Sequence, residues 1–169
     1  MNEQNANTRV YAQKVELLLR LIPIVMEEGV FVIHGGTAIN LFLKNLPRYS
    51  VDIDLTYTPI NDRAKSLEDI NLHLKSICDK AKRAFKGMHI VPNFNTCKLL
   101  CEYHGKQVKI EVNQTKRGIV GGEALTIPLS DKAQDEFSLY CESEDRTTDF
   151  AIWWKDSGCP FTSTSTRSV

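Results

Sequence analysis

The stretch HGGTAINLFLKNLPRYSVDIDLTY, residues 34–57, decides the fold of this chain. An apolar run leads into Gly35-Gly36, and Thr37 then begins a segment with apolar residues at helical spacing, which Pro47 is predicted to end. This order predicts a strand, a tight turn and a helix. A glycine turn lets the backbone approach a ligand closely, and free N–H groups at a helix start favour an anion such as phosphate. Plain turn chemistry is the alternative.

The second half of the stretch, residues 50–57, alternates polar and apolar side chains. Alternation predicts a half-buried strand, on which side chains two apart share a face. Asp52 and Asp54 therefore point the same way, and two neighbouring carboxylates repel unless a cation lies between them. Mg²⁺ suits this place because it takes hard oxygen ligands from one or two carboxylates. A solvated polar face on an edge strand is the alternative.

A third carboxylate lies in a second alternating stretch, residues 106–113. Val108, Ile110 and Val112 form its apolar face, and Glu111 lies on the other face. A strand beside residues 52–54 would add Glu111 to the same acidic cluster. Three acids on two strands make a two-metal phosphoryl-transfer site plausible.

These motifs together resemble the nucleotidyltransferases of the AbiEii/AbiGii toxin type, within the polymerase-beta-like superfamily. The resemblance rests on the turn GGTA at residues 35–38, the run PRYSVDIDL at 47–55 and the strand KIEVN at 109–113. It covers roughly residues 10 to 140, and the motifs occur in the family's order and approximate spacing.

The resemblance implies a metal-dependent transfer of a nucleoside monophosphate from a nucleoside triphosphate to an acceptor hydroxyl. By this resemblance the triphosphate would bind at Gly35, Gly36 and Thr37, with Arg48 and Ser50 in support, and Mg²⁺ or Mn²⁺ would bind at Asp52, Asp54 and Glu111. For two supporting residues a plainer role stays open. Arg48 would then only pair with a carboxylate, and Ser50 would only satisfy a backbone group at the strand end.

The resemblance also implies partners and a biological setting. The acceptor class is RNA, particularly transfer RNA ends, and the chain would act as the toxin beside a cognate antitoxin in a toxin-antitoxin or phage-defence system. A second hypothesis is a catalytically impaired remnant that binds nucleotide or an antitoxin without turnover. Which nucleotide is used, which acceptor, and which oligomeric state stay open.

Composition is that of an ordinary globular protein, with 169 residues, 42% apolar, 25% charged and a formal net charge of zero. Zero net charge excludes an overall attraction for nucleic acid, although local basic patches remain. No secretory signal or membrane span is visible, which predicts a cytoplasmic protein. The five cysteines lack paired spacing and are expected to be reduced thiols.

The rest of the chain predicts an α/β (α+β) fold, a mixed sheet flanked by helices. The first residues, up to Thr8, are expected to fray, and Pro23 is expected to kink or end the first helix near Ile22. No clear period marks residues 130–140. The expected helices cover residues 15–26 and 67–85, and the expected further strands cover 89–91, 97–103 and 108–113, with a hairpin turn at His104-Gly105.

We expect residues 1–141 to form the nucleotidyltransferase core and residues 142–169 to be an atypical, poorly packed tail. The tail lacks the lysine and arginine-aspartate helices of the family. Trp153-Trp154 must be encoded TGGTGG, and reading one base later gives Gly-Gly followed by Lys or Arg. We therefore expect a frameshift near Glu142 to have replaced most of the C-terminal helical domain. A genuine Ser/Thr-rich linker is the alternative, and the DNA sequence of the locus tests the two.

Overall fold

The computed structural model describes residues 3–119, 124–141 and 150–152, and it contains a mixed sheet with helices against it. The mixed α/β fold expected from the sequence is confirmed.

The helices and strands of the described residues have the following bounds. The helices are α1 (Glu3–Met26), α2 (Gly35–Thr37), which continues as a π-helix (Ala38–Leu43), α3 (Arg63–Ala84) and α4 (Asp131–Cys141). The strands are β1 (Phe31–His34), β2 (Asp52–Tyr57), β3 (His89–Asn93), β4 (Lys98–Tyr103), β5 (Lys106–Arg117), β6 (Leu125–Ile127) and β7 (Phe150–Ile152). Their order in the sheet is β3-β4-β5-β2-β1-β7-β6. β2 runs parallel to β5 and β1 runs parallel to β7, whereas the other neighbouring pairs are antiparallel.

One face of the sheet carries the hydrophobic core, because strand alternation sends every second side chain to the same side. Ile53, Leu55, Ile110 and Val112 are buried on this face, where α1 and α3 pack. Each such buried aliphatic side chain contributes about 1.5 to 3 kcal/mol relative to exposure. The polar residues of β2 and β5 are thereby held on the opposite face.

A buried carboxylate joins the end of α1 to α3. Glu28 accepts hydrogen bonds from Ser76 Oγ at 2.8 Å and pairs with His73 Nδ1 at 2.6 Å and with Lys80 Nζ at 2.9 Å. Burial alone would raise the pKa of Glu28, but these partners outweigh it and lower that pKa. The link fixes the chain immediately before β1 and the glycine turn.

Three expected helix boundaries are wrong. α1 continues through Pro23 to Met26 and already begins at Glu3, so neither the end near Ile22 nor the frayed start is found. The residues around Pro23 are buried, and their packing offsets the cost of about 3 kcal/mol that a proline carries inside a helix. The helical segment after the glycine turn ends at Leu43, before Pro47 is reached, with Lys44 already extended.

Two segments without a clear sequence pattern also form regular structure. Residues 125–127, expected as a connector, form β6, and residues 131–141, in which no period was visible, form α4 with a non-helical Phe137 inside it. The predicted hairpin at residues 104–105 is confirmed, since His104 and Gly105 both have left-handed φ values, of 49° and 71°.

Only a short part of the predicted tail is described. Residues 150–152 pair in the sheet between β1 and β6, and residues 142–149 and 153–169 lie outside the described residues. The boundary at residue 141 and the frameshift therefore stay predictions. Among the described helices, none has the length and apolar character needed to cross a membrane.

Candidate active site

The polar face of β2 and β5 brings the predicted carboxylates together. The parallel register sets Asp52 beside Lys109 and Asp54 beside Glu111. Because residues in register on neighbouring strands share a face, all four side chains lie on the side away from the core. The alternation seen in the sequence thus places Glu111 on the same face as the two aspartates.

Two lysines neutralise the outer carboxylates of this face. Lys109 Nζ lies 3.5 Å from Asp52 Oδ2 and 3.2 Å from Glu111 Oε2, and Lys98 Nζ lies 3.0 Å from Glu111 Oε1. Partial burial alone would raise the pKa of Glu111, but the hydrogen bonds from Lys98 and Lys109 lower it. All four side chains remain partly exposed, so each pair contributes about 0.2 to 1 kcal/mol.

Asp54 is the carboxylate without a cation of its own. Within the described ranges it has no hydrogen bond and no ion pair. Burial raises its pKa, and Asp52 and Glu111 raise it further, whereas His34 and Lys109 oppose the shift. His34 and Lys109 therefore offset the burial and the acidic neighbours of Asp54 only in part.

The glycine turn lies directly against this carboxylate. Gly35 has a φ of +70°, in the left-handed region, and a Cβ built there would lie 2.8 Å from Asp54 Oδ2. A side chain at residue 35 would therefore be strained and would also collide with Asp54. The sequence folds locally in this way because only glycine allows the turn to approach β2 so closely.

A chain of hydroxyl groups fixes the turn to the start of β2. Thr37 is fully buried, and its Oγ1 donates a hydrogen bond to the backbone oxygen of Asp52. Thr37 Oγ1 also lies 2.8 Å from Ser50 Oγ. Since Thr37 has one hydroxyl proton and that proton is used on Asp52, Ser50 is the donor in the second bond.

Three polar groups surround the next residue of the turn. A Cβ at Gly36 would lie 3.4 Å from Ser50 Oγ, 3.5 Å from Arg48 Nη2 and 3.8 Å from Asn40 Nδ2. Arg48 is exposed, and no carboxylate pairs with it in the described part of the chain, so the plainer role considered for this arginine is not found there. Ser50 bonds the Thr37 side chain rather than a backbone group.

Helix α4 supports the loop that carries these groups. Tyr49 packs edge-on against Phe137 with ring centroids 6.4 Å apart, and its hydroxyl donates to Glu136. The Glu136 hydrogen bond raises the pKa of Tyr49 to about 12, with burial adding to the effect. The backbone N–H of Lys132 donates to Asn45 Oδ1 at 2.8 Å. Residues 45–50 are thereby held beside the turn.

The donor set can be tested against a divalent cation. No group of three or more His, Cys, Asp or Glu side chains stands in metal-binding arrangement among the described residues, and the Lys109 ammonium lies between Asp52 and Glu111. The chemistry nevertheless fits, because carboxylate oxygens are the ligands that Mg²⁺ and Mn²⁺ prefer and Asp54 makes no ion pair within the described residues. A cation bound here has to displace Lys109.

The predicted site residues therefore occupy one connected region. Asp52, Asp54 and Glu111 share the sheet face, and the other predicted residues line the adjoining turn: Gly35, Gly36, Thr37, Arg48 and Ser50. Their chemical roles stay predictions.

Three neighbours of this region are not among the residues predicted for the site. His34 pairs in register with Asp54, Asn40 lies one helical turn after Gly36, and Lys109 contacts two of the carboxylates. Two of these residues could have been found from sequence spacing. Asn40 follows Gly36 by four residues, the spacing of neighbours on a helix face, and Lys109 precedes Glu111 by two, the spacing of neighbours on a strand face.

Comparison with known protein families gives a match. The model of the AbiEii family, described as "Nucleotidyl transferase AbiEii toxin, Type IV TA system", matches residues 16–147. No curated protein and no solved structure matches the chain. The family match covers every residue of the site described above.

Proposed function

The chain belongs to the AbiEii family of nucleotidyl transferase toxins of type IV toxin-antitoxin systems, and from this membership we propose that it transfers a nucleoside monophosphate from a nucleoside triphosphate to an acceptor hydroxyl. The observation that carries the proposal is the carboxylate of Asp54, which has no hydrogen bond or ion pair within the described residues and whose charge His34 and Lys109 offset only in part. Asp54 lies against Gly35 of the glycine turn, and the guanidinium of Arg48 lies beside Gly36 of the same turn. Arg48 has no carboxylate partner within the described residues. A negative site and a positive site are thus adjacent, as a metal-bound triphosphate requires.

The metal side of the proposal uses three carboxylates. Asp52, Asp54 and Glu111 would hold Mg²⁺ or Mn²⁺ on the open sheet face. When bound, the cation would neutralise the charge that develops on the phosphate oxygens and favour the deprotonated form of the attacking hydroxyl. Asp54, with its pKa raised by burial and by its acidic neighbours, gains most from such a counter-ion.

The phosphate side uses the turn and the loop after it. Gly35 and Gly36 are partly exposed and carry no side chain of their own, and Arg48 Nη2 lies 3.5 Å from the position of a Gly36 Cβ. Arginine offers several N–H donors in a planar fork that matches phosphate oxygens. We assign these three residues to the triphosphate.

Thr37 and Ser50 are assigned a positioning role in place of the direct phosphate contact expected from the sequence. Both hydroxyl protons are used within the protein, on Asp52 and on Thr37 respectively. We therefore propose that the two side chains position the turn relative to Asp52. The triphosphate contacts would then come from the backbone and from neighbouring donors.

The acceptor and the partner follow from the family. We propose RNA, in particular transfer RNA ends, as the acceptor and a cognate antitoxin as the protein partner. The open face beside Glu111 leaves the carboxylates accessible to a macromolecular hydroxyl, since Asp52, Lys98 and Lys109 are all partly exposed.

The test is incorporation of radiolabelled nucleotide into total RNA in the presence of Mg²⁺ or Mn²⁺, with each of the four nucleoside triphosphates. Wild-type protein is expected to label RNA, and Asp54→Asn is expected to lose at least about 100-fold of the rate, the order of magnitude of one lost electrostatic group in a catalytic site. Asp79→Asn, on the exposed surface of α3, is the matched control and should retain the wild-type rate. Equal labelling by wild type and Asp54→Asn would refute the proposal.

A second candidate function has its own support. The ion pairs of Lys98 and Lys109 satisfy Asp52 and Glu111 without a metal, as expected of a remnant that binds nucleotide or an antitoxin but does not turn over. The same assay separates the two functions. The remnant would bind a labelled nucleotide without transferring it to RNA, whatever the metal.

A further inference from the structure

One buried amide beside the glycine turn lacks a hydrogen-bond partner. Asn40 is only 3% exposed, and its Nδ2 has no acceptor among the residues that the structure describes. Buried donors in native proteins are almost always satisfied by protein, water or ligand. A bound ligand would explain the unpaired amide of Asn40, which is also the one polar residue in the otherwise apolar run Ile39 to Leu43.

The direction of this amide is set by the helix that carries it. Asn40 follows Gly36 by four residues, and residues at this spacing face the same side of a helix. Its Nδ2 lies 3.8 Å from the position of a Gly36 Cβ, where Arg48 Nη2 and Ser50 Oγ also converge at 3.5 Å and 3.4 Å. The space that the missing side chain of Gly36 leaves open is thus bordered by polar atoms.

A count of protons shows which of these groups are free to donate. The hydroxyl protons of Thr37 and Ser50 are committed to hydrogen bonds within the protein. Asn40 Nδ2 and the Arg48 guanidinium are the remaining donors at Gly36, and neither has a partner in the described part of the chain. Two convergent donors, one of them cationic, select an anion with several oxygens.

We propose that Asn40 is a phosphate-binding residue, whose side-chain amide donates to an oxygen of the bound triphosphate from inside the turn while Arg48 binds from outside. This inference rests on the proposed function, because it takes the nucleotide triphosphate as the ligand. Asn40 is buried and neutral, whereas Arg48 is exposed and cationic. Asn40 therefore fixes the depth at which the phosphate lies, and Arg48 supplies charge.

The experiment measures the affinity of the full chain for inorganic triphosphate by isothermal calorimetry, with and without Mg²⁺. Asn40→Leu removes the donor at similar volume and is expected to weaken binding about 10- to 100-fold, the range for one hydrogen bond to a charged group. Asn71→Leu is the matched control, because Asn71 is a partly buried asparagine on α3 that accepts from the Cys97 thiol. It should bind as tightly as wild type.

Asn40→Asp adds a readout that a structural role would not give. The introduced carboxylate repels phosphate at neutral pH, but once protonated it is again a donor. Its affinity relative to wild type at each pH is expected to be lowest at neutral pH and to recover as the solution is acidified. Thermal melts of each variant establish that it is folded. If Asn40→Leu does not fold, Asn40→Ser takes its place. Asn40→Ser keeps a smaller donor and is expected to bind triphosphate with an affinity between those of wild type and a variant without a donor.

Wild-type affinity in both Asn40→Leu and Asn40→Asp would overturn the assignment, as would an equal loss in Asn71→Leu. Failure of wild-type protein to bind triphosphate would also overturn it. The proposed function is judged separately by labelling of RNA, so a chain that transfers nucleotide but tolerates both Asn40 substitutions would refute this inference alone.

Discussion

Replacing Gly35 with alanine is the sharpest structural test of the turn. Gly35 has a φ of +70°, and a Cβ would lie 2.8 Å from Asp54 Oδ2 and 3.5 Å from Asp54 Cβ and Cγ. The left-handed backbone costs an alanine about 1 to 2 kcal/mol, and the overpacking adds about 1 to 3 kcal/mol. We therefore expect Gly35→Ala to lower the free energy of unfolding by about 2 to 5 kcal/mol.

Gly105→Ala separates the two contributions. Gly105 has a φ of +71° and nothing within 4 Å of its Cβ position, so its substitution carries only the backbone cost of about 1 to 2 kcal/mol. The difference between the two variants in urea unfolding measures the contact with Asp54. In an Asp54→Ala background this difference should disappear, because the colliding carboxylate is gone.

The refuting result is equally specific. If Gly35→Ala and Gly105→Ala destabilise the chain equally, the turn does not lie against Asp54 and the geometry described for the site is wrong. A loss for Gly35→Ala that persists unchanged in the Asp54→Ala background would contradict the same contact. In both cases the unfolding slope must match that of wild type, so that the free energies are comparable.

Three further variants or probes test the electrostatics and burial of the same region. Lys109→Met is expected to tighten Mn²⁺ binding about 2- to 5-fold, since the cation no longer displaces ion pairs worth about 0.2 to 1 kcal/mol with Asp52 and Glu111; weaker binding in an equilibrium titration would contradict this. Asp54→Asn is expected to be more stable than wild type at neutral pH, because the raised pKa of Asp54 means that the folded state favours the protonated carboxyl, and the wild-type protein loses that stability as pH rises from the ordinary value of 3.8 through the folded pKa. The stability advantage of the variant in melting experiments should therefore grow from acid to neutral pH, and an advantage that is constant with pH would refute the prediction. The Cys101 thiol, whose pKa burial raises to about 12, should react with a thiol reagent only after global unfolding, and fast labelling of the native chain at this residue would contradict its burial.

Alternation made the sheet face predictable from the sequence. The period of two in residues 50–57 and 106–113 places Asp52, Asp54 and Glu111 on polar faces, and the mixed sheet with a parallel β2 and β5 brings those faces together. Side-chain period is a local property of the chain, so a single sequence contains it. The three thiols that the structure describes, at Cys78, Cys97 and Cys101, are unpaired, as expected.

Properties that depend on tertiary neighbours were not predictable in this way. Pro23 argued against a continuous helix, but the helix persists because its flanks are buried against the sheet. The hydrogen bond from Thr37 to Asp52 depends on the distance between turn and strand, which the sequence does not contain. The sequence marks Asn40 only by its place inside an apolar run and by its spacing of four from Gly36, whereas its importance comes from an amide that lies beside Gly36 without a partner in the described part of the chain.

The most direct measurement is a crystal structure of the chain soaked with Mg²⁺ and a non-hydrolysable nucleoside triphosphate. We expect metal density in contact with Asp52, Asp54 and Glu111, with the Lys109 ammonium displaced from between them. The phosphates should lie against Gly36. A nucleotide bound elsewhere on the chain, or carboxylates still paired with Lys109 at saturating metal and nucleotide, would contradict the assignment of this sheet face as the active site.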